Sequence, residues 1–112
     1  MIDQIRPTDV EAWLAAQGGS GVVLDVREVP ELRTASVPPQ QDFELLAIPM
    51  GDIPGRLQEL DPDRPVACLC HHGARSMRVA MFLAQNGFSR VANIAGGIDA
   101  WSLQRDPSVP RY

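Results

Sequence analysis

Along this chain, apolar and polar positions switch repeatedly between the rhythm of a buried strand and that of a helix. Val22-Val23-Leu24-Asp25-Val26 and Val66-Ala67-Cys68-Leu69-Cys70 are near-continuous apolar runs, the pattern of strands buried on both faces of a parallel sheet. Leu45-Leu46-Ala47-Ile48, ended by Pro49, and Val91-Ala92-Asn93-Ile94 read as two more strands, and residues 2–5 as a short first one. Between them the period lengthens. Val10, Trp13 and Leu14 share a helical face behind Thr8-Asp9-Val10-Glu11, which reads as a capping box after Pro7. Gly18-Gly19-Ser20-Gly21 stops that helix. Pro30-Glu31-Leu32-Arg33 reads as one helical turn, and a helix is expected over about 51–60 despite Pro54 and Gly55. Residues 75–86 carry the strongest helical pattern, with Val79, Phe82 and Leu83 inward and Gly87 as C-cap. Gly96-Gly97 opens a last short helix holding Ile98, Ala100 and Trp101. Residues 37–41 and 61–65 are loop, and the proline-rich tail 106–112 reads as extended. Strands alternating with helices predict an α/β fold around a parallel sheet.

Length and charge narrow the classes of function. At 112 residues the chain forms one domain, 1–112, and its 45% hydrophobic content is enough for a core without metal or disulfide staples. The net charge of −4 and the lack of a Lys/Arg run argue against a nucleic-acid partner. No apolar stretch approaches the roughly 20 residues of a membrane span. The residues from Met1 to Ile5 show neither the basic start nor the apolar run of a secretion signal, so the expected address is cytoplasmic. Cys68 and Cys70 are the two cysteines, too close in sequence to staple distant segments and expected to be reduced thiols. The ligands offered by Cys68-Leu69-Cys70-His71-His72 crowd too closely for a structural metal, and none is expected.

The chemistry concentrates in Cys70-His71-His72-Gly73-Ala74-Arg75-Ser76, between a strand and a helix. The carboxyl end of a parallel strand is where open α/β sheets place their ligands. Backbone N–H groups of such a loop, with those of the next helix's first turn, converge to stabilise negative charge, and the helix dipole adds to them. A thiol held there loses its proton more readily. Gly73 permits a backbone path that a β-carbon would obstruct, Arg75 brings a fixed positive charge and Ser76 a hydroxyl donor.

Cys-x-x-Gly-x-Arg-Ser after an apolar strand resembles the active-site loop of the rhodanese homology domain, a sulfurtransferase family. Asp25-Val26-Arg27-Glu28 followed by Glu31, then Ile48-Pro49-Met50, Gly87-Phe88 and Gly96-Gly97-Ile98-Asp99-Ala100-Trp101 match further segments of that family in order. The resemblance implies a five-stranded parallel sheet flanked by helices on both faces. It also implies a persulfide formed on Cys70, a binding loop running to Arg75, and no cofactor beyond that covalent intermediate. Ser36-Val37-Pro38-Pro39-Gln40 departs from the family's His-Ile-Pro-Gly-Ala, and Pro39 excludes the positive φ that a glycine would permit there.

The resemblance also sets the competing readings. Cysteine phosphatases and arsenate reductases on the same fold place one more residue between Cys and Arg; here four intervene, a tighter loop suited to one sulfur atom. A non-catalytic rhodanese-like binding module is the other alternative. Cys68 is read as a packed core residue, and Asp25 as holding the fold by hydrogen bonds. Arg27 is left open between fold and function. His71 and His72 either face solvent or meet the substrate, and Arg75 either serves the anion or ties the loop to a carboxylate. The implied partners are a small sulfur donor, such as thiosulfate or another persulfide, and a thiophilic acceptor. The ending Asp106 to Tyr112 is similar to that of rhodanese domains fused to enzymes activating sulfur-carrier proteins, which adds such a protein to the candidate acceptors. The plainer reading of that tail is a cover for apolar surface.

Overall fold

The computed structural model describes residues 2–18 and 20–112. Five strands form one sheet: β1 (Asp3–Ile5), β2 (Gly21–Asp25), β3 (Phe43–Ala47), β4 (Val66–Leu69) and β5 (Val91–Ile94). They lie in the order β1-β5-β4-β2-β3, and every pairing is parallel. The central strand β4 therefore lies between β2 and β5, buried along its whole length. Side chains alternate between two cores, one on each face. Ala67 and Leu69 join Val23, Ala92 and Ile94 beneath α1 (Val10–Ala16) and α4 (Gly97–Gln104). Val66, Cys68 and Cys70 join Val22, Leu24 and Val91 beneath α3 (Ala74–Gln85). This is the expected α/β architecture, with helices on both faces. A further helix, α2 (Val29–Thr34), buries no side chain and closes a capping box between Glu28 and Glu31.

Three local expectations are corrected. The capping box at Thr8 does not form. Pro7–Asp9 is instead a 3-10 turn, and the Asp9 carboxylate bonds Arg6 Nε at 3.0 Å. The helix over 51–60 is absent; in its place stand 3-10 turns at Met50–Asp52 and Pro54–Glu59, kinked at Arg56. Pro54 lacks the N–H that an α-helical ladder needs, and Gly55 adds no preference for helix. The tail is not simply extended. It turns at 106–109, closed by Val109 N–H on Asp106 O, and buries Val109 in the core beside Trp101. Gly18 ends α1 with φ +78, whereas Gly19, the next residue of the predicted stop, lies outside the described residues. The loop containing Pro39 runs without any positive-φ residue, and Val37 within it is buried.

Candidate active site

Cys70 is the residue immediately after β4, at the carboxyl end of the central strand. Residues 71–73 turn the chain sharply into α3, whose N-cap Gly73 takes φ +107, a left-handed conformation suited to glycine. That turn brings the Gly73 N–H to 3.0 Å from Cys70 Sγ. The backbone N–H groups of His72 and Ser76 also favour the charged sulfur, and the Ser76 hydroxyl lies 3.3 Å away. Burial alone would push the Cys70 thiol up. The Ser76 hydroxyl and the three backbone N–H groups outweigh it and hold the thiol below its ordinary value. A thiol held in this way can serve as a nucleophile.

The loop is braced from behind by the start of α4. The N–H groups of Ile98 and Asp99 donate to the carbonyls of Cys70, at 2.8 Å, and His71, at 3.2 Å. With those carbonyls turned back towards α4, the loop amides are left to face the sulfur. Gly97 makes the approach possible, because a β-carbon there would run into both carbonyl oxygens.

Ser76 is fully buried and carries one proton for three acceptors. Its Oγ lies 2.5 Å from Asn93 Oδ1 and 3.3 Å from both Gly73 O and Cys70 Sγ. The orientation of the Asn93 amide is fixed by its Nδ2, which donates to Gly73 O at 3.2 Å and Gln4 Oε1 at 3.1 Å. A thiolate is a stronger acceptor than an amide oxygen, so ionisation of Cys70 draws the Ser76 proton towards sulfur. Asn93 was assigned no role from sequence. The available signal was one amide within the otherwise apolar strand Val91 to Ile94, a buried polar group that requires partners.

The charged residues divide by role. Arg27 is wholly buried and forks onto Asp25, with Nη2 to Oδ2 at 2.8 Å, while further donors reach Ala35 O, Glu31 O and the Tyr112 hydroxyl. Burial weakens its charge, but the bonds to Asp25 and Tyr112 outweigh this and raise its pKa. Asp25 and Arg27 thus join the strand end to α2. Arg75 makes the carboxylate tie, a bidentate pair with Glu31 at 2.7 and 2.8 Å. The Arg75 guanidinium holds the Glu31 carboxyl at about 2 against partial burial, with Glu28 N–H and the Tyr112 hydroxyl assisting. His71 is half-buried and stacked between His72 and Tyr112, each at 3.9 Å between ring centres; His72 is exposed. Cys68 faces the same core as Cys70, fully buried, with its thiol pushed up to about 12 by burial. Among the described residues no three His, Cys, Asp or Glu side chains are grouped to hold a metal, and no helix is long and apolar enough to cross a membrane.

The Rhodanese-like domain family model matches residues 7–104. The chain belongs to the rhodanese-like domain family. A similar curated protein is the "Sulfurtransferase" of Allochromatium vinosum, 36% identical over 79% of this chain and 78% of that one. The "Rhodanese-like/PpiC domain-containing protein 12, chloroplastic" of Arabidopsis thaliana is 42% identical over 80% of this chain, which spans only 30% of that longer protein. The crystal structure of a rhodanese-related protein from Thermoplasma volcanium superposes with a TM-score of 0.76 at 28% identity, covering 98% of this chain and 99% of that one. The chain is an enzyme of the rhodanese sulfurtransferase class. Within that family, the Cys70 loop of this rhodanese domain is the segment that can stabilise an anionic sulfur.

Proposed function

We propose that Cys70 carries sulfane sulfur as a persulfide in two half-reactions. The observation that supports this most is the placement of the Gly73 N–H at 3.0 Å and the Ser76 hydroxyl at 3.3 Å from Cys70 Sγ, with no general base needed to activate the thiol. In the first half-reaction the Cys70 thiolate attacks the outer sulfur of thiosulfate, as named in the "Thiosulfate sulfurtransferase GlpE" of Glaesserella parasuis, 34% identical over 84% of this chain. A Cys70–S bond forms, the S–S bond of the donor breaks, and sulfite leaves with the electron pair. The negative terminal sulfur then lies within reach of the same amides. In the second, a thiophilic acceptor attacks that terminal sulfur and the Cys70–S bond breaks, returning the pair to Cys70 as thiolate. Cyanide gives thiocyanate, and a thiol, free or carried by a sulfur-carrier protein, gives its persulfide.

The chemistry needs no cofactor and no metal, because sulfur alone is passed between nucleophiles. It requires a reduced Cys70, which suits the cytoplasm. The loop amides and the α3 N-terminus hold the departing anion, while Arg75, tied to Glu31, adds a screened positive field. The compact loop favours one sulfur atom over a tetrahedral phosphate. The test is a paired assay on the purified protein. Thiocyanate should form steadily from thiosulfate and cyanide, with negligible hydrolysis of an aryl phosphate. Robust phosphatase turnover without sulfur transfer would reverse the assignment.

A further inference from the structure

Resting on the persulfide reading above, we propose that Tyr112 is a positioning residue for the sulfur cradle, clamping the loop after Cys70 at its two ends, through His71 and through Glu31–Arg75. The circuit can be followed atom by atom. The Tyr112 ring lies flat on His71, 3.9 Å between centres and 4° between planes, and His71 Nε2 lies 2.8 Å from the main-chain oxygen of Tyr112. The Tyr112 hydroxyl donates to Glu31 Oε1 at 2.9 Å and accepts from Arg27 Nη1 at 3.0 Å. Glu31 holds Arg75 with both carboxylate oxygens. The segment from His71 to Arg75 contains two of the residues whose N–H groups face the sulfur and ends one residue before the third. Tyr112 thus closes a ring around the cradle from outside it.

The clamp has a fixed base. Val109 is buried, Ser102 Oγ donates to its carbonyl at 2.6 Å, and Arg111 Nε pairs with Asp99 Oδ1 at 2.8 Å. Covering apolar surface accounts for Val109 but not for Tyr112, which is 40% exposed and makes aromatic and polar contacts with the loop and its supports. The loop itself has no strand ladder to hold it. Hydrogen bonds to the sulfur weaken steeply with misalignment, so bracing the loop from outside protects the low thiol pKa. Because both half-reactions use one cradle, loss of the clamp should slow transfer to every acceptor rather than to a protein acceptor alone.

The test is an ultraviolet titration of the Cys70 thiolate in the whole chain, with Cys70→Ser as blank, run beside the rate of sulfur loading from thiosulfate by intact mass. Arg75 from α3 and Cys68 from β4 are coupled electrostatically to Cys70, and the two histidines follow it in the loop. Cys68 ionises only at about 12, and the pKa of Tyr112, the sole tyrosine, is raised mainly by burial, so neither obscures the Cys70 step. In Tyr112→Ala the midpoint should rise by about half a unit or more, leaving roughly threefold less thiolate below it, and loading should slow in proportion. Tyr112→Phe keeps the stack on His71 and should restore part of both. A wild-type midpoint and loading rate in Tyr112→Ala, or no recovery in Tyr112→Phe, would overturn the clamp. Failure of the wild-type protein to gain any sulfur would instead overturn the persulfide reading.

Discussion

Cys68 and Cys70 lie two residues apart, face the same core beneath α3, and differ in almost everything chemical. Cys68 belongs to β4, where the main-chain polar groups are committed to the neighbouring strands and the side chain lies in an apolar core cluster. Burial there costs the thiolate its solvation and nothing returns it, so the thiol is pushed up to about 12. Cys70 is nearly as buried, at 1% exposure. It lies one step beyond the ladder, however, where the chain turns and the amides of the loop and of the first turn of α3 have no strand to bond. Those free donors replace water around the sulfur. Burial therefore does not set reactivity by itself; the supply of unpaired N–H groups at a strand end does.

The largest expected effect exchanges the two thiols in turn. Cys70→Ser should lower thiosulfate-to-cyanide transfer by about a thousandfold or more, since the covalent route is lost. Cys68→Ser should retain most of the activity per folded molecule. Equal loss in two folded variants would erase the distinction. Gly97→Ala attacks the brace. Its φ of +61 and the collision with the Cys70 and His71 carbonyls should destabilise the protein by at least about 1–3 kcal/mol in a denaturant titration, and displace the cradle.

Ser76→Ala sharpens the comparison by making the surroundings of Cys70 more like those of Cys68. Loss of one bond to a charged sulfur, of order 1.5 kcal/mol, should raise the Cys70 pKa by about one unit. The pH profile of sulfur loading should move upward with it, and an unmoved profile would assign the activation to the amides alone. The smallest effect concerns Glu31. Its carboxyl is held at about 2 in the folded protein against the ordinary 4.5, so its stabilising contribution is complete above about pH 5 and is lost as pH falls towards 2. Glu31→Gln should shallow the acid limb of a pH-dependent melting series in that window.

Strands, the α3 helix and Cys70 are legible in the chain because each is written in adjacent residues. Val66 to Cys70 is apolar without a break, and Gly73, Arg75 and Ser76 follow within a turn of helix. What the sequence conceals is long-range pairing. Glu31 and Arg75 are 44 positions apart, and Tyr112 lies 81 positions beyond Glu31, so no local pattern could join them to the Cys70 loop. Asn93 supports the loop from β5 and was likewise silent, while Gly97 was legible as the start of α4 but not as the brace behind the loop. The expected helix over 51–60, which does not form, has a different cause. There, apolar residues at helical spacing compete with a missing N–H at Pro54 and a weak helix former at Gly55, and the backbone compromises on 3-10 turns.

The most direct test of the central claim is an intact mass recorded after the reduced protein is incubated with thiosulfate and freed of excess reagent. The account predicts a gain of one sulfur atom per chain, located on Cys70, retained in Cys68→Ser, absent in Cys70→Ser and removed by cyanide. A sulfur found on Cys68, or no gain in a folded wild-type protein whose Cys70 thiol is shown to be reduced, would contradict it.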